Sequence, residues 1–422
     1  MSKHVVVIGG GVIGLSAAEA CAARGHRVTV VERLPRQRTG CSFGNAGMVV
    51  PSHFVPLAAP GMIALGLKWM WNPESPFYVK PRINLDLILW GLNFMRSATK
   101  EHVAACAPLL RDLSFASREL YLERAKAEDF SLVTKGLLML CKEAHTLDEE
   151  GAMAARARYL GVPAEVLDAK ATAAIDPSIS MAVAGSIHYP KDCHLSPERY
   201  IEMLEKRLLD AGATLHWGTN ITGWGREGSK IRSVKTNAGE IEADEFILCG
   251  GIWSDEIVKP LGLRVPMQAG KGYSVTVNKP VELAELCSIL TEARVAVTPM
   301  DGGMRFGGTM EISGTNDRVA QRRVNGIIRA AINYFPSFKR EDFASIEAWH
   351  GLRPCSPDGM PYLGKTAAAP NLTVATGHAM MGLSLAPVTG AVAARLIDGE
   401  PAGFDLHLLS PDRFASSKLR RS

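Results

Sequence analysis

Residues 4–32 read HVVVIGGGVIGLSAAEACAARGHRVTVVE, and this stretch decides the fold. Val5-Val6-Val7-Ile8 is an apolar run of strand length, and it breaks at Gly9-Gly10-Gly11-Val12-Ile13-Gly14. A helical run to Arg24 and a second strand over Arg27–Glu32 complete a βαβ unit. Gly9 permits the tight turn, Gly11 lets the backbone approach a pyrophosphate, and Gly14 lets the helix pack closely on the strand. The phosphates of such a ligand sit at the helix N-terminus, where unpaired N–H groups and the helix dipole favour negative charge. Glu32 closes the second strand 18 residues beyond Gly14, where a carboxylate accepts hydrogen bonds from ribose hydroxyls. Ile8 to Gly14, Glu32 and the adjoining Arg33 are therefore candidate dinucleotide contacts. The adenine half is common to NAD and FAD, so this stretch does not choose between them.

The remainder of the 422 residues exceeds one hydrophobic core, and two interleaved domains are expected. Hydrophobic residues at 47%, charged residues at 21% and 40 glycines describe a globular α/β chain rather than a disordered one. The net charge of +4 is small and the basic residues are scattered, which argues against nucleic acid. Eight cysteines, at 21, 41, 106, 141, 193, 249, 287 and 355, include no CxxC pair and no Cys/His cluster, so no metal site is expected. Their use fits a reducing compartment, and no secretion signal is read ahead of Val5.

No run of 18 or more apolar residues is read, so no membrane-spanning helix is expected. Two shorter apolar segments, Gly61–Trp71 and Ile83–Met95, carry Trp69, Leu87, Trp90 and Phe94 at helical spacing. They suit either a core-facing amphipathic helix or one lying on a bilayer surface. The expected location is cytoplasmic, at the inner face of the membrane if these segments touch lipid.

Gly40-Cys41-Ser42-Phe43-Gly44-Asn45-Ala46-Gly47 forms a glycine-punctuated loop able to run beside a ligand. A helical region over about 83–160 opens an inserted domain, and Ser196–Ala211 is an amphipathic helix with Pro197 in its first turn. A β-rich stretch follows, ending in the buried run Glu245–Cys249 with Gly250 and Gly251. Strands are expected over Met267–Val277, Val295–Thr298 and Arg305–Thr309, and a helix over Arg318–Phe335. Asn371–Thr376, the glycine loop Gly377–Gly382 and a helix over Leu383–Ile397 repeat the strand, turn and helix pattern of the N-terminus. A second helix N-terminus aimed at one cofactor favours FAD, which is long and needs protein at both ends. Gly250, Gly251, Met381, Gly382, Leu383 and Ser384 thereby join Asn45, Ala46 and Gly47 as cofactor-binding candidates.

At these residues the sequence resembles the superfamily of D-amino-acid oxidase, glycine oxidase and D-amino-acid dehydrogenase, and within it the bacterial D-amino-acid dehydrogenases. The resemblance covers nearly the whole chain through Gly9–Gly14 with Glu32-Arg33, Ser42–Gly47, Ile247–Ser254, Gly351-Leu352-Arg353-Pro354, Ser356–Gly359 and Gly377–Gly390. It implies an α/β fold: a glutathione-reductase-type, Rossmann-like FAD domain built from residues 1–55, 190–262 and 348–422. An α+β substrate domain with a mixed sheet takes 56–189 and 263–347. Arg353 matches the arginine that pairs with the substrate carboxylate in glycine-oxidase-like members, a task suited to a planar guanidinium. The alternative is an arginine tying down a loop beside Asp358. Where sarcosine-oxidase-like members attach flavin through cysteine this chain has Gly351, which implies noncovalent FAD, and Met380-Met381 implies an apolar pocket.

The activity implied is dehydrogenation of a small D-amino acid at Cα–N, with the imino acid hydrolysing to a 2-oxo acid and ammonia. D-Alanine, D-proline and D-hydroxyproline are all compatible, the last two giving cyclic imines, and a glycine- or sarcosine-oxidase-like activity is the alternative. His350, Tyr273 and His53 are further candidates, respectively for polarity near the amine, for a hydroxyl on the carboxylate, and for the entrance; a histidine satisfied within the structure and an aromatic packed on a strand are the commoner readings of the first two, and an ordinary loop residue is the alternative for the third. The electron acceptor, a quinone or another carrier, is not read. A nicotinamide dehydrogenase or a nucleotide-sensing module leaves Arg353 or the second glycine turn without a task.

Overall fold

A computed structural model describes residues 1–37, 39–62, 64 and 75–415. The expected βαβ unit is present as strand His4–Ile8, helix Val12–Ala22 and strand Arg27–Val31, with the two strands parallel. Around it a six-stranded sheet runs in the order Tyr362–Thr366, Ala369–Thr376, Glu245–Leu248, His4–Ile8, Arg27–Val31, Thr214–His216. All neighbours are parallel except the first pair. Its central strands are buried on both faces, the pattern of a parallel sheet covered from both sides. A three-stranded antiparallel sheet, Ile221–Glu227, Lys230–Thr236 and Gly239–Glu242, lies between two of its strands in sequence.

Two glycines let helices approach where a side chain would not fit. A Cβ on Gly14 would fall 1.8 Å from the Gly9 carbonyl oxygen, and one on Gly390 would fall 2.4 Å from that of Ser16. The second contact locks helix Gly382–Asp398 against helix Val12–Ala22. The segment Ala379–Asp398 is, by length and composition, apolar enough to cross a membrane, which corrects the expectation that no segment is. Two thirds of it is buried in this fold, so its apolarity is accounted for by the core.

The larger sheet has nine strands and mixed direction. Its main path is Trp349–Cys355, Gln268–Val277, Gly303–Ile312, Val295–Met300, Cys287–Leu290, Leu137–Cys141, Gly185–Tyr189, Glu165–Asp168, with Phe77–Val79 pairing on Gly303–Ile312. Helix Gln321–Tyr334 covers one face over Val275, Val297 and Phe306. The boundary expected at 348 assigned Trp349–Cys355 to the nucleotide-binding segments. Its hydrogen bonds make it instead an edge of this sheet. The helical region expected over 83–160 is interrupted by strand Leu137–Cys141 after helices Leu85–Ser97 and Lys100–Ala125, because Leu137-Leu138-Met139-Leu140 is buried throughout and pairs on both sides.

Helix Leu85–Ser97 uses Trp90 as its inward anchor, with the indole N–H donating to the Cys355 carbonyl at 2.9 Å. Leu85, Ile88, Leu89, Leu92 and Met95 form an exposed apolar stripe on its other side. The companion segment Gly61–Trp71 lies mostly outside the described residues, Trp69 included.

Candidate functional site

Both glycine turns open onto one cleft of about 1600 Å³, part of it open to solvent. Helix Val12–Ala22 begins on Gly11 with no acidic residue in its first turn, and helix Gly382–Asp398 begins on Met381 in the same way. Neither N-cap side chain satisfies the first N–H groups, so two positive helix ends face the same space. Ser42 supplies one acceptor from the loop, its Oγ taking the Val12 N–H at 3.0 Å. Gly9, at φ 112°, makes the turn, and a Cβ there would lie 2.3 Å from the Cys249 carbonyl oxygen.

Glu32 is buried, and backbone donors orient both its oxygens. Oε2 accepts from Gly10 N–H at 2.6 Å and Oε1 from Leu34 N–H at 2.8 Å. The carboxylate borders the cleft between these donors. Arg33 stacks 3.4 Å from the ring centre of Trp253, and burial draws its guanidinium below the usual arginine range.

Of the sequence candidates, Ile8, Gly9, Gly11, Val12, Ile13, Glu32, Arg33, Asn45, Gly250, Gly251, Gly382 and Leu383 line the cleft. Gly10, Gly14, Ala46, Gly47, Met381 and Ser384 do not. Gly10 and Gly14 shape the turn behind the lining, and Ser384 Oγ is taken by the Val50 N–H at 3.0 Å. Thr219, Asn220 and Ile221 line it without a motif to announce them, and Trp253 lines it from within Ile247–Ser254. His378 also lines it, bonded to Thr389 Oγ1 at 3.0 Å and held neutral by burial, which pulls its pKa down to about 3.

These features fit a dinucleotide with protein at both ends, and the whole chain bears this out. A family model described as DAO, FAD dependent oxidoreductase, matches residues 4–396. This chain belongs to that family. FAD is therefore its cofactor, and the rival readings of a nicotinamide dehydrogenase and a nucleotide-sensing module fall away. Relatives include a D-amino acid dehydrogenase of Bradyrhizobium diazoefficiens, 32% identical over 97% of this chain and 99% of that one. Another, from Agrobacterium fabrum, is 31% identical over 98% and 100%. Among solved structures, a glycine oxidase from Geobacillus kaustophilus superposes with a TM-score of 0.78 at 25% identity, covering 98% of this chain and 100% of that one. The L-proline dehydrogenase from P. horikoshii shares the fold, at a TM-score of 0.74 and 20% identity over 98% of each chain.

The candidates for chemistry are distributed by strand alternation. In the pairing of Trp349–Cys355 with Gln268–Val277, Gly351 lies opposite Gly272 and His350 opposite Tyr273. Arg353 shares the face of Gly351 and Gly272, while His350 and Tyr273 share the other. The Arg353 guanidinium lies over Gly272, where a Cβ would come within 2.1 Å of Nη1. Nη1 donates to the Thr309 carbonyl at 2.8 Å. That carbonyl is turned by a bulge: Tyr273 pairs with Gly308 and Lys271 with Glu311, so Thr309 and Met310 stand against Gly272 alone. Thr309 is held at φ 70°, a left-handed conformation that is rare and strained for a β-branched residue.

The Asp358 carboxylate belongs to Arg413, at 2.7 and 3.0 Å, which removes the alternative that Arg353 ties that loop. Among the described residues no carboxylate pairs with Arg353. It lies beside Cys41, which lines the cleft and whose thiol is pushed up by burial against the opposing pull of the Arg353 charge.

Tyr273 and His350 lie outside the lining residues. The buried Tyr273 hydroxyl donates to Glu311 at 2.9 Å and accepts the Ala320 N–H at 3.3 Å, on the side of helix Gln321–Tyr334. His350 Nε2 lies 3.5 Å from the exposed Asp317. His53 is outside the lining residues; its Nδ1 meets Ser52 Oγ at 3.0 Å, and burial lowers its pKa to about 4.

The Ser52 hydroxyl and N–H both donate to Asp192, whose carboxyl is fully buried and is pushed up to about 7 by desolvation, with Ser52 opposing the rise. A carboxyl raised in this way holds its proton more tightly in the folded chain. The stability it supports is complete below its unfolded value near 4 and is lost as pH rises through about 7. Asp192→Asn should therefore flatten the fall in unfolding temperature between about pH 5 and 8. Parallel wild-type and variant curves over that range would place the titration elsewhere.

Proposed function

We propose that this enzyme dehydrogenates the Cα–N bond of a small D-amino acid, releasing an imino acid that water converts to a 2-oxo acid and ammonia. The observation that carries it is Arg353: not itself a lining residue, it stands among Cys41, Leu352 and Pro354, which line the cleft, fixed by a bulged carbonyl and with no carboxylate of this chain as partner among the described residues. A charge in that position is completed by an anionic ligand, and the guanidinium has further N–H groups with which to grip a carboxylate through two parallel bonds. Gly272 and Gly351, lacking side chains, make room on that face for the Arg353 guanidinium and the Trp349 indole.

FAD, held by the residues of this cleft, would supply the two-electron acceptor for the hydride lost from Cα. The chain supplies no nucleophile in this account; it holds Cα in place through the carboxylate and excludes water. Its residues retain FAD without a covalent bond, because Gly351 stands where sarcosine-oxidase-like relatives carry the attaching cysteine. The D-configuration is supported by full-length relatives named D-amino acid dehydrogenase. A glycine-oxidase-like activity is less favoured, since that likeness is at 25% identity. The reading is tested by anaerobic mixing of the FAD-loaded enzyme with D-amino, L-amino and N-methyl amino acids while flavin absorbance is followed. Loss of the yellow colour with D-amino acids first is the expected result.

A further inference from the structure

We propose that Arg305 is a positioning residue, holding the strap Phe43–Gly47 with its carbonyls toward the larger sheet and its amides toward the flavin. The proposal rests on the FAD reading of this cleft. Strand register places Thr276, Arg305 and Thr298 directly opposite one another on three adjacent strands, so the three side chains form one row on one face. The Arg305 guanidinium is shared among four acceptors. Nη1 donates to the carbonyls of Phe43 at 3.2 Å and Asn45 at 2.9 Å, Nη2 to Glu198 at 2.7 Å, and Nε to Thr276 Oγ1 at 3.1 Å. Thr298 Oγ1 donates to the Ala46 carbonyl at 2.6 Å and Ser274 Oγ to that of Gly44 at 3.2 Å. Leu195 N–H takes the Gly47 carbonyl at 2.8 Å. Every carbonyl from Phe43 to Gly47 is thus engaged from outside the strap.

A trans peptide is planar, so the N–H that follows a carbonyl points the opposite way. No peptide bond among the described residues is cis. With the carbonyls of Phe43, Gly44 and Asn45 drawn to the sheet, the amides of Gly44, Asn45 and Ala46 are turned to the other side, where Phe43 and Asn45 line the cleft. The next amide, of Gly47, is taken by the Asn45 side chain at 2.9 Å. Three successive N–H groups remain as a donor row of the kind that stabilises negative charge. Such donors, fixed in advance, favour the electron-rich edge of the flavin ring more strongly once it carries two further electrons. Arg305 is itself buried and balanced by Glu198, so its influence passes through the strap rather than through its charge.

The test is the midpoint potential of bound FAD, together with sulfite affinity, in the wild type, Arg305→Met, Arg305→Lys and Thr298→Val. FAD should still bind to all of them through the adenine end. Potential and sulfite affinity should fall, by about tenfold or more in affinity for each amide misplaced. For a two-electron couple tenfold corresponds to about 30 mV. Arg305→Lys keeps the charge without the geometry and should follow Arg305→Met; Thr298→Val removes one bond without touching charge and should shift less in the same direction. Unchanged potential and sulfite affinity in variants that hold FAD would overturn the proposal, and if the Arg305 variants do not fold, Thr298→Val decides alone. A wild-type protein that binds no FAD would remove the cofactor assignment itself.

Discussion

Arg353→Ala is expected to leave FAD bound and to slow its reduction by a D-amino acid at least about 100-fold, the cost of losing a geometry that holds the reacting atoms in place. The loss should appear in the limiting rate at saturating substrate as well as in the substrate concentration needed, because the arginine is both the anion's partner and the anchor for Cα. Arg353→Lys should recover little. Its ammonium keeps the charge but offers neither two parallel bonds to a carboxylate nor the planar fit over Gly272 while bonded to Thr309. FAD affinity should be preserved in both, since the Glu32 and Gly9–Gly14 contacts lie on other elements. Stopped-flow reduction with the FAD content measured in parallel separates these outcomes. Near-normal reduction in Arg353→Ala would take the carboxylate clamp out of the account.

The second large effect is expected at Glu32. Its two oxygens are oriented by the N–H groups of Gly10 and Leu34. Glu32→Gln turns one oxygen into an NH₂ that meets a backbone N–H, donor against donor, and Glu32→Ala leaves both N–H groups unpaired. Either change also removes the charged acceptor for the ribose hydroxyls, a loss of about 1–3 kcal/mol, so FAD affinity should fall by roughly tenfold or more in either variant. Equilibrium binding of FAD to the apoprotein measures this. An unchanged dissociation constant for Glu32→Gln in a folded protein would show that the carboxylate does not meet the ribose.

The contrast between Glu32 and Tyr273 shows how much of the site was legible in the sequence. Glu32 was legible because the turn, the helix and the acid lie within one local βαβ unit whose spacing is set by covalent geometry. The second glycine turn was legible for the same reason. Tyr273 was not, because its face depends on a long-range register: it pairs with His350 and points to helix Gln321–Tyr334, while its neighbour Gly272 faces Arg353. Thr219, Asn220 and Ile221 reach the cleft only through the order of strands in the sheets, which no local pattern encodes. The strand Trp349–Cys355 was hidden because Gly351 and Pro354 interrupt its apolar pattern, and an edge strand tolerates both. The competing role given to Arg353, pairing with Asp358, was a fair reading of nearby residues that Arg413, 55 positions further on, overrides.

The central claim is that a D-amino acid delivers its Cα hydride to FAD in this cleft. Anaerobic addition of D-alanine or D-proline to the FAD-loaded enzyme tests it most directly, with L-alanine and glycine as controls and absorbance of the oxidised flavin as the readout. Bleaching by a D-amino acid, with the matching 2-oxo acid or cyclic imine formed in amount equal to the flavin reduced, is the predicted result. A flavin that stays yellow with every D-amino acid but bleaches with glycine or an N-methyl amino acid would contradict it.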